Sequence, residues 1–282
     1  MPVISDLRPS PIAGTWYPDN PDRLTRQVDA YLAEADLPEL DGEVVAVITP
    51  HAGPIYSGRT AGYAFHSVLR KSFPRVALLS PMHAYTPAQF ITSAHKGYLT
   101  PLGPVWIDKE AVSALERAMQ TRGLPAFLSV ARDGEHALEI ELPFLQRALS
   151  GEFQLLPVMV RTHDPVELRA FGEALAETLR QFPALLVAST DLSHFYPREL
   201  AERLDGRMLD LIASFSPESI LKADEEGTGL ACGVGSVAAV LWAAQALGAN
   251  AVQVLHHSTS ADQTGDTSSV VGYGAAVVLR RG

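Results

Sequence analysis

Short, mostly apolar segments recur along the chain, and they alternate with segments in which apolar residues repeat at helical spacing. Apolar runs of this length, bounded by proline or polar residues, predict strands that are buried on both faces of a sheet. The predicted strands are residues 44–49, 75–80, 153–160, 184–189, 252–256 and 270–279. Residues 89–106 are predicted to be extended chain that forms a hairpin beside the main sheet.

The segments between these strands predict helices. Asp108 and Asp164 are expected to cap two of them, because an aspartate side chain accepts hydrogen bonds from the first backbone amides of a helix. The predicted helices cover residues 58–69, 108–119, 135–149 (with Pro143 inside), 164–182, two stretches within 197–222, and 235–247. The alternation predicts an α/β fold with a mostly parallel or mixed central sheet, flanked by helices on both faces. No linker interrupts the pattern, so residues 1–282 are predicted to form a single domain.

Composition and charge exclude several function classes. The formal net charge is −10 and basic residues do not cluster, so nucleic acid is not an expected partner. No apolar run reaches the roughly 18 residues that span a bilayer, and no membrane association is expected. The N-terminal residues 1–14 lack the features of a signal peptide, which favours a cytoplasmic location. A single cysteine, Cys232, excludes an internal disulfide.

Histidines follow four of the predicted strands: His51, His83, His194 and the pair at 256–257. In sheets of this kind, ligands bind beyond the carboxyl ends of the parallel strands. Neutral imidazole nitrogen is a good ligand for iron, copper, zinc and nickel. The pattern therefore predicts a metal-containing pocket at this edge. The alternative is that these strand ends lie far apart and the histidines never meet.

Cys232 precedes an apolar helix, where the helix dipole favours a thiolate that can act as a nucleophile or a metal ligand. A buried core cysteine is the equal alternative. Glu135 and Glu139 flank His136, which is expected to reach the pocket, although acidic residues at a helix start are often only surface charge.

Two further segments are candidates for lining the pocket. Tyr56, Ser57 and Gly58 follow His51 closely in the chain. Residues 265–269, which include Asp266, are typical of a tight turn that enters the last strand, and the favoured alternative is that they serve the turn alone. The sequence contains no phosphate-binding Gly-Lys-Ser/Thr loop, no His-Glu-x-x-His and no Gly-x-Ser-x-Gly motif.

Seven motifs, in this order, carry a resemblance to one known family. They are AGTWYP (13–18), PHAGPIYSG (50–58), SPMH (80–83), EHALEIELPFLQ (135–146), STDLSH (189–194), Cys232-Gly233 and GDTSSVVGYGAA (265–276). They are spread over nearly the whole chain, which resembles the Memo family, known in bacteria and archaea as AmmeMemoRadiSam system protein B. The chain departs from the usual family pattern at Pro54 and at Val234.

The resemblance implies a fold similar to the LigB-type class III extradiol dioxygenases, which are non-haem iron enzymes. It implies His51, His83 and Cys232 as metal ligands, with Cys232 in place of the dioxygenase carboxylate. His194, with Asp191 beside it, falls where those enzymes keep an acid/base histidine. His136, Tyr56 and Asp266 are the expected residues around the ligands. Fe(II) is the expected metal and Cu(I) the alternative, because thiolate suits Cu(I).

Three functions follow as hypotheses. The first is a metal-dependent oxidoreductase. The second is a non-catalytic module that binds protein or phosphopeptide in a vestigial dioxygenase cleft, against which the acidic charge argues, since phosphopeptide sites use arginine clusters. The third is a copper or iron chaperone. The family name implies a radical S-adenosylmethionine enzyme and an AMMECR-type protein as partners.

Overall fold

A large mixed sheet with helices on both faces dominates the computed structural model, which describes residues 6–282. Residues 1–5 lie outside the described residues. They belong to the segment 1–14 that is predicted to lack a signal peptide. The strands are β1 (Leu7–Arg8), β2 (Glu43–Thr49), β3 (Arg75–Pro81), β4 (Phe90–Ser93), β5 (Gly97–Thr100), β6 (Gly103–Trp106), β7 (Leu128–Val130), β8 (Gln154–Val160), β9 (Leu185–Ser189), β10 (His194–Tyr196), β11 (Ala251–Thr259) and β12 (Val270–Arg280). The helices are α1 (Pro21–Glu34), α2 (Pro54–His66), α3 (Lys109–Gln120), a 3₁₀ turn (Glu139–Glu141), α4 (Leu142–Ala148), α5 (Pro165–Gln181), α6 (Arg198–Ala213), α7 (Pro217–Glu225), α8 (Val234–Ala246) and α9 (Ala261–Thr264).

The main sheet runs in the order β10-β12-β2-β9-β3-β8-β4-β7, and β11 also pairs with β12. The four middle strands, β2, β9, β3 and β8, are parallel to one another. Antiparallel neighbours close this block on both sides, β12 against β2 and β4 against β8. The predicted α/β class with a mixed central sheet is therefore confirmed.

Alternating side chains of the middle strands supply two separate cores. In β3, Val76 and Leu78 pack with α1, α2 and α4 on one face. Ala77 and Leu79 point to the other face and pack with α3, α5, α6, α7 and α8. All four side chains are fully buried. This two-sided burial explains why the sequence of the middle strands is apolar at consecutive positions.

Helices α3 and α5 begin where the sequence predicts an aspartate cap. Asp108 accepts a hydrogen bond from the Ala111 amide, and Asp164 accepts from the amides at the start of α5, as predicted. Helix α1 was not among the predicted elements, although Asn20 caps it and Pro21 opens it. Within residues 6–282, no helix combines the length and apolar character that crossing a bilayer requires.

The predicted helix over residues 135–149 is wrong at its start. The carboxylate of Glu135 accepts hydrogen bonds from the backbone amides of His136 and Ala137, which holds this segment as a loop. A 3₁₀ turn and α4 follow, and Pro143 lies in the first turn of α4 instead of interrupting a longer helix. The extended segment 89–106 divides: β4 joins the main sheet, and the β5–β6 hairpin forms a three-stranded sheet with β1.

Candidate metal centre

Three neighbouring parallel strands end at one edge of the main sheet and open a cavity of about 740 Å³. His51 follows β2, His83 follows β3, and Asp191 and His194 follow β9. These four residues line the cavity together with His136, which comes from the loop before the 3₁₀ turn. Because β2, β9 and β3 are adjacent, the strand-end rule brings these residues together as expected.

His51 is the most deeply buried histidine of the cavity, with 1% of its surface exposed. Its backbone amide donates a 2.8 Å hydrogen bond to Asp191 Oδ1, and its Nδ1 lies 2.9 Å from Ser189 Oγ. Burial, and then the nearby His136 and His83, hold the pKa of His51 well below its ordinary value. The lowered pKa favours the neutral imidazole, which is the form that binds metals.

His83 lies on the exposed side of the cavity and pairs with the buried carboxylate of Glu135. His83 Nδ1 is 2.9 Å from Glu135 Oε1, and the His83 amide donates to Oε2. The hydrogen bond to Glu135 raises the pKa of His83 despite partial burial. Burial opposes the charge on Glu135, but hydrogen bonds from His83 and from backbone amides lower the pKa of Glu135 to about 2. An imidazole held by a carboxylate in this way is the usual arrangement of a metal-binding histidine.

The rings of His51, His83 and His136 form a compact cluster. The His83 and His136 rings stack at 4.9 Å, and both meet the His51 ring edge-on, at 5.3 and 5.6 Å between centroids. One nitrogen from each ring lies within 4.8 Å of the other two, which is a spacing suited to sharing one ion. Trp16 lies against His136, with 4.2 Å between ring centroids.

Cys232 adjoins this cluster through His51. Its Sγ lies 3.2 Å from His51 Nε2 and accepts a hydrogen bond of 3.2 Å from the Asp191 amide. When a thiolate and an imidazole bind one ion with ordinary bond lengths and a tetrahedral angle, the sulfur and nitrogen atoms lie roughly 3.6 Å apart. The observed distance between Cys232 Sγ and His51 Nε2 is close to this value. The approach depends on Gly233, where a Cβ atom would lie 2.4 Å from the carbonyl oxygen of Ser189.

The expectation that the α8 dipole lowers the pKa of Cys232 is wrong for this protein. Burial, followed by the nearby charge of Asp191, raises the pKa of the thiol well above its ordinary value. Burial therefore favours the thiol form of Cys232 over the thiolate.

His194 and Asp191 take distinct positions in the same cavity. His194 Nδ1 lies 2.8 Å from the carbonyl oxygen of Leu192, so Nδ1 carries the hydrogen and Nε2 is the free, basic nitrogen. Burial lowers the pKa of His194 and raises the pKa of Asp191 to about 7. The next residue, Phe195, has a left-handed backbone (φ 64°) and a side chain that is 74% exposed at the cavity rim.

Of the other four candidate lining residues, two line the cavity and two do not. Tyr56 and Asp266 line the cavity, and Asp266 also accepts hydrogen bonds from Ser268 in the turn that the sequence indicates. Ser57 instead donates to the Ala52 carbonyl, and Gly58 packs against the ring of Tyr31. Lysine and arginine are absent from the described residues that line the cavity.

The expectation that residues 256–257 join the cluster is wrong. Strand β11 does not end there but continues to Thr259, so both histidines lie inside an antiparallel strand. His256 Nδ1 lies 2.9 Å from Thr60 Oγ1, and its ring stacks on Tyr63. His257 Nε2 lies 2.9 Å from the buried Asp205 carboxylate.

The acidic residues around His136 are buried, which excludes the alternative that Glu135 and Glu139 are only surface charges. Glu135, Glu139 and Glu141 are each at most 4% exposed. Arg8 reaches Glu139 at 2.5 Å and Asp133 at 2.6 Å, and thereby ties β1 to the loop that carries His136. Sequence reasoning missed this anchoring role, because it depends on contacts 125 and 131 residues apart in the chain.

Known proteins resemble this chain along almost its entire length. The profile of the Memo-like protein family matches residues 8–277. A MEMO1 family protein of Methanopyrus kandleri is 34% identical, with 96% of this chain and 98% of the relative aligned. MEMO1 family proteins of Archaeoglobus fulgidus (33% identical, 97% of this chain and 100% of the relative) and Nitrosopumilus maritimus (32% identical, 95% and 98%) are similar to the same extent.

Proposed function

Because the chain belongs to the Memo-like protein family, we propose that its histidine-lined cavity binds a transition metal, Fe(II) or alternatively Cu(I), and uses it in oxidoreductase chemistry. The observation that carries the proposal is the cluster of His51, His83 and His136 nitrogens within 4.8 Å of one another. Hydrogen bonds to Ser189 and Glu135 hold the opposite nitrogens of His51 and His83, as in established metal sites.

His51 and His83 would hold the ion, and Cys232 would complete the set from its position 3.2 Å from His51 Nε2. Family resemblance supports this trio. Imidazole nitrogen with thiolate sulfur is a donor set that iron and copper both accept. His136 is a further nitrogen donor of the same cluster. Bound iron or copper would supply one-electron chemistry and an open position for a small ligand.

The remaining cavity residues prepare the site for a substrate. His194 would accept or donate a proton at Nε2, since its Nδ1 is committed to the Leu192 carbonyl. Asp191 Oδ1 accepts a hydrogen bond from the backbone amide of His51 and thereby holds the His51 backbone in place. The aromatic side chains of Trp16, Tyr56 and Phe195 line the cavity and favour a partly aromatic or apolar substrate.

A docking cleft for a protein partner is the second candidate. Large apolar side chains are exposed at the rim, Phe195 at 74% and Ile55 at 54%. Partners of the radical S-adenosylmethionine and AMMECR types belong to this proposal through the family resemblance. The absence of lysine and arginine from the described lining argues against a phosphopeptide, whose phosphate needs basic partners.

The metal content of the protein tests the proposed function. The full chain is purified without oxygen, loaded separately with Fe(II) and Cu(I), and analysed for bound metal by mass spectrometry. Near-stoichiometric binding of either ion supports the proposal, and oxygen consumption with catechol-like compounds then tests turnover. A protein that retains neither ion contradicts the proposal and leaves the docking cleft as the better explanation.

Replacing Glu135 with glutamine is expected to weaken Fe(II) binding about 10–100-fold, which is the usual cost of removing the group that orients a metal ligand. The amide keeps the size of the side chain but removes the charge that holds His83. Fe(II) titration of the variant measures the effect. Glu173→Gln, a change at an exposed position of α5, is the control and should bind as the wild type does. Equal affinity of all three proteins would contradict this role of Glu135.

Fe(II) binding is also expected to weaken as the pH falls from about 8 to about 6. The direction of this change follows from His83, whose pKa is raised above 6.5. Near neutral pH, a proton therefore competes with the ion for the His83 ring. His51 and His136 have lowered pKa values and add little competition in this range. Dissociation constants measured across this range test the expectation. An affinity that rises toward pH 6 would be the opposite of the expected result.

A further inference from the structure

The hydroxyl group of Ser189 lies between His51 and the buried carboxyl group of Glu141. Glu141, in the 3₁₀ turn, is 1% exposed, and within residues 6–282 no ion pair joins it to a basic side chain. Its Oε1 lies 2.7 Å from Ser189 Oγ, and its Oε2 lies 3.3 Å from Thr49 Oγ1. Ser189 Oγ in turn lies 2.9 Å from His51 Nδ1.

Ser189 has a third neighbour, the carbonyl oxygen of Ala137, at 2.7 Å. A serine hydroxyl has one hydrogen to donate and two lone pairs with which to accept. The Ala137 carbonyl can only accept, so it takes the single Ser189 hydrogen. The other two neighbours must then donate to Ser189 Oγ: His51 from Nδ1–H, and Glu141 from a protonated carboxyl group.

The same assignment satisfies every remaining partner. A protonated Glu141 donates from Oε1, and its Oε2 is then a carbonyl oxygen that accepts from the Thr49 hydroxyl. An ionised Glu141 would instead draw the Ser189 hydrogen to itself and leave two oxygen atoms 2.7 Å apart with no hydrogen between them. Burial, reinforced by the nearby charge of Asp191, raises the pKa of Glu141 well above its ordinary value, which agrees with the protonated form.

We propose that Ser189 and a protonated Glu141 form a positioning pair that fixes His51 as its Nδ1–H tautomer and ties the segment after His136 to the end of β9. The tautomer leaves the lone pair of His51 Nε2 directed toward Cys232 Sγ, where an ion would bind. This last step rests on the proposed metal binding. The tautomer and the protonation of Glu141 belong to the protein itself and are independent of it.

The pair is tested first in the metal-free, full-length protein. Nitrogen-15 NMR of the histidine rings should show His51 protonated at Nδ1 in the wild type and in Glu141→Gln, because the glutamine amide also donates to Ser189 and accepts from Thr49. In Ser189→Ala this preference should be lost. Infrared difference spectra of wild type against Glu141→Gln should contain the carbonyl band of one protonated acid. A missing acid band, or an Nε2–H tautomer of His51 in the wild type, would overturn the proposal.

Fe(II) affinity supplies the second readout. Ser189→Ala is expected to bind Fe(II) about 10–100-fold more weakly, whereas Ser189→Thr, which keeps the hydroxyl, and Glu141→Gln should stay within about threefold of the wild type. A Glu141→Gln affinity as low as that of Ser189→Ala would show that a negative charge is needed and would overturn the proposal. If the wild type itself binds no Fe(II) or Cu(I), the proposed function fails, but the NMR and infrared results still decide this inference. The isosteric Glu141→Gln variant keeps the infrared test valid even if Ser189→Ala does not fold.

Discussion

Replacing His51 with alanine is expected to remove metal binding almost completely, with a loss of affinity well above the roughly 10–100-fold that follows removal of a supporting group. The His51 ring contacts the His83 and His136 rings, and its Nε2 contacts Cys232 Sγ, so both candidate ligand sets include His51. Mass spectrometry of the anaerobically loaded variant measures the loss. His256→Ala is the matched control, because His256 is a histidine outside the cavity, and it should retain the wild-type metal content.

Two companion variants separate the alternative ligand sets. The family resemblance gives Cys232 as the third ligand, whereas the nitrogen cluster contains His136. If Cys232 binds the ion, Cys232→Ser should lose most of the affinity and His136→Ala should lose less. The reverse order would make the site an all-histidine site. Full metal content in His51→Ala would contradict both sets and with them the proposed centre.

Replacing Arg8 with methionine is expected to lower the free energy of unfolding by about 3–5 kcal/mol, the usual cost of leaving a buried charge without its partner. The Arg8 side chain is 4% exposed and pairs with Glu139 and Asp133, which are as deeply buried. Methionine keeps the apolar length of the side chain but leaves both carboxylates without a cation. Urea denaturation with an unchanged slope measures the difference.

The control for this experiment is Arg169→Met. Arg169 pairs with Glu173 on the surface of α5, where both side chains are about half exposed. Removing one member of an exposed pair changes stability by about 1 kcal/mol or less. A loss in Arg8→Met as small as this would show that Glu139 and Asp133 do not depend on Arg8. Since Arg8 also holds the loop of His136, weaker metal binding should accompany the loss of stability.

The arrangement of the cavity could be predicted as far as it depends on local pattern. The segments around Val76 and Leu186 are apolar at consecutive positions because both faces of the sheet are covered, and this makes the middle strands visible in the sequence. The residues that follow these strands meet because the strands are parallel neighbours. His51 and His83 were therefore predictable as members of one pocket.

The rest depends on contacts that no local pattern reports. Glu135 has the sequence context of a helix start, but its carboxylate serves His83, which comes 52 residues earlier, and the local helix is lost. His256 follows an apolar run as His51 does, but its strand is antiparallel, so the rule for parallel strand ends does not apply. The Cys232 thiol has a raised pKa because of tertiary burial, which its position before a helix does not reveal in the sequence.

The wide separation of the contacts around the cavity has a consequence for biosynthesis. Arg8 is synthesised early, but its ion pair with Glu139 cannot form until 131 more residues have been added. The contact of His51 with Cys232 requires 181 more residues after His51. Contacts this distant form late in folding, since long loops must close first. At the proposed centre, the ligand set would therefore stay incomplete until Cys232 has been synthesised. Metal capture during translation would be disfavoured at the proposed centre, and the ion would enter after the chain has folded, past the exposed His83.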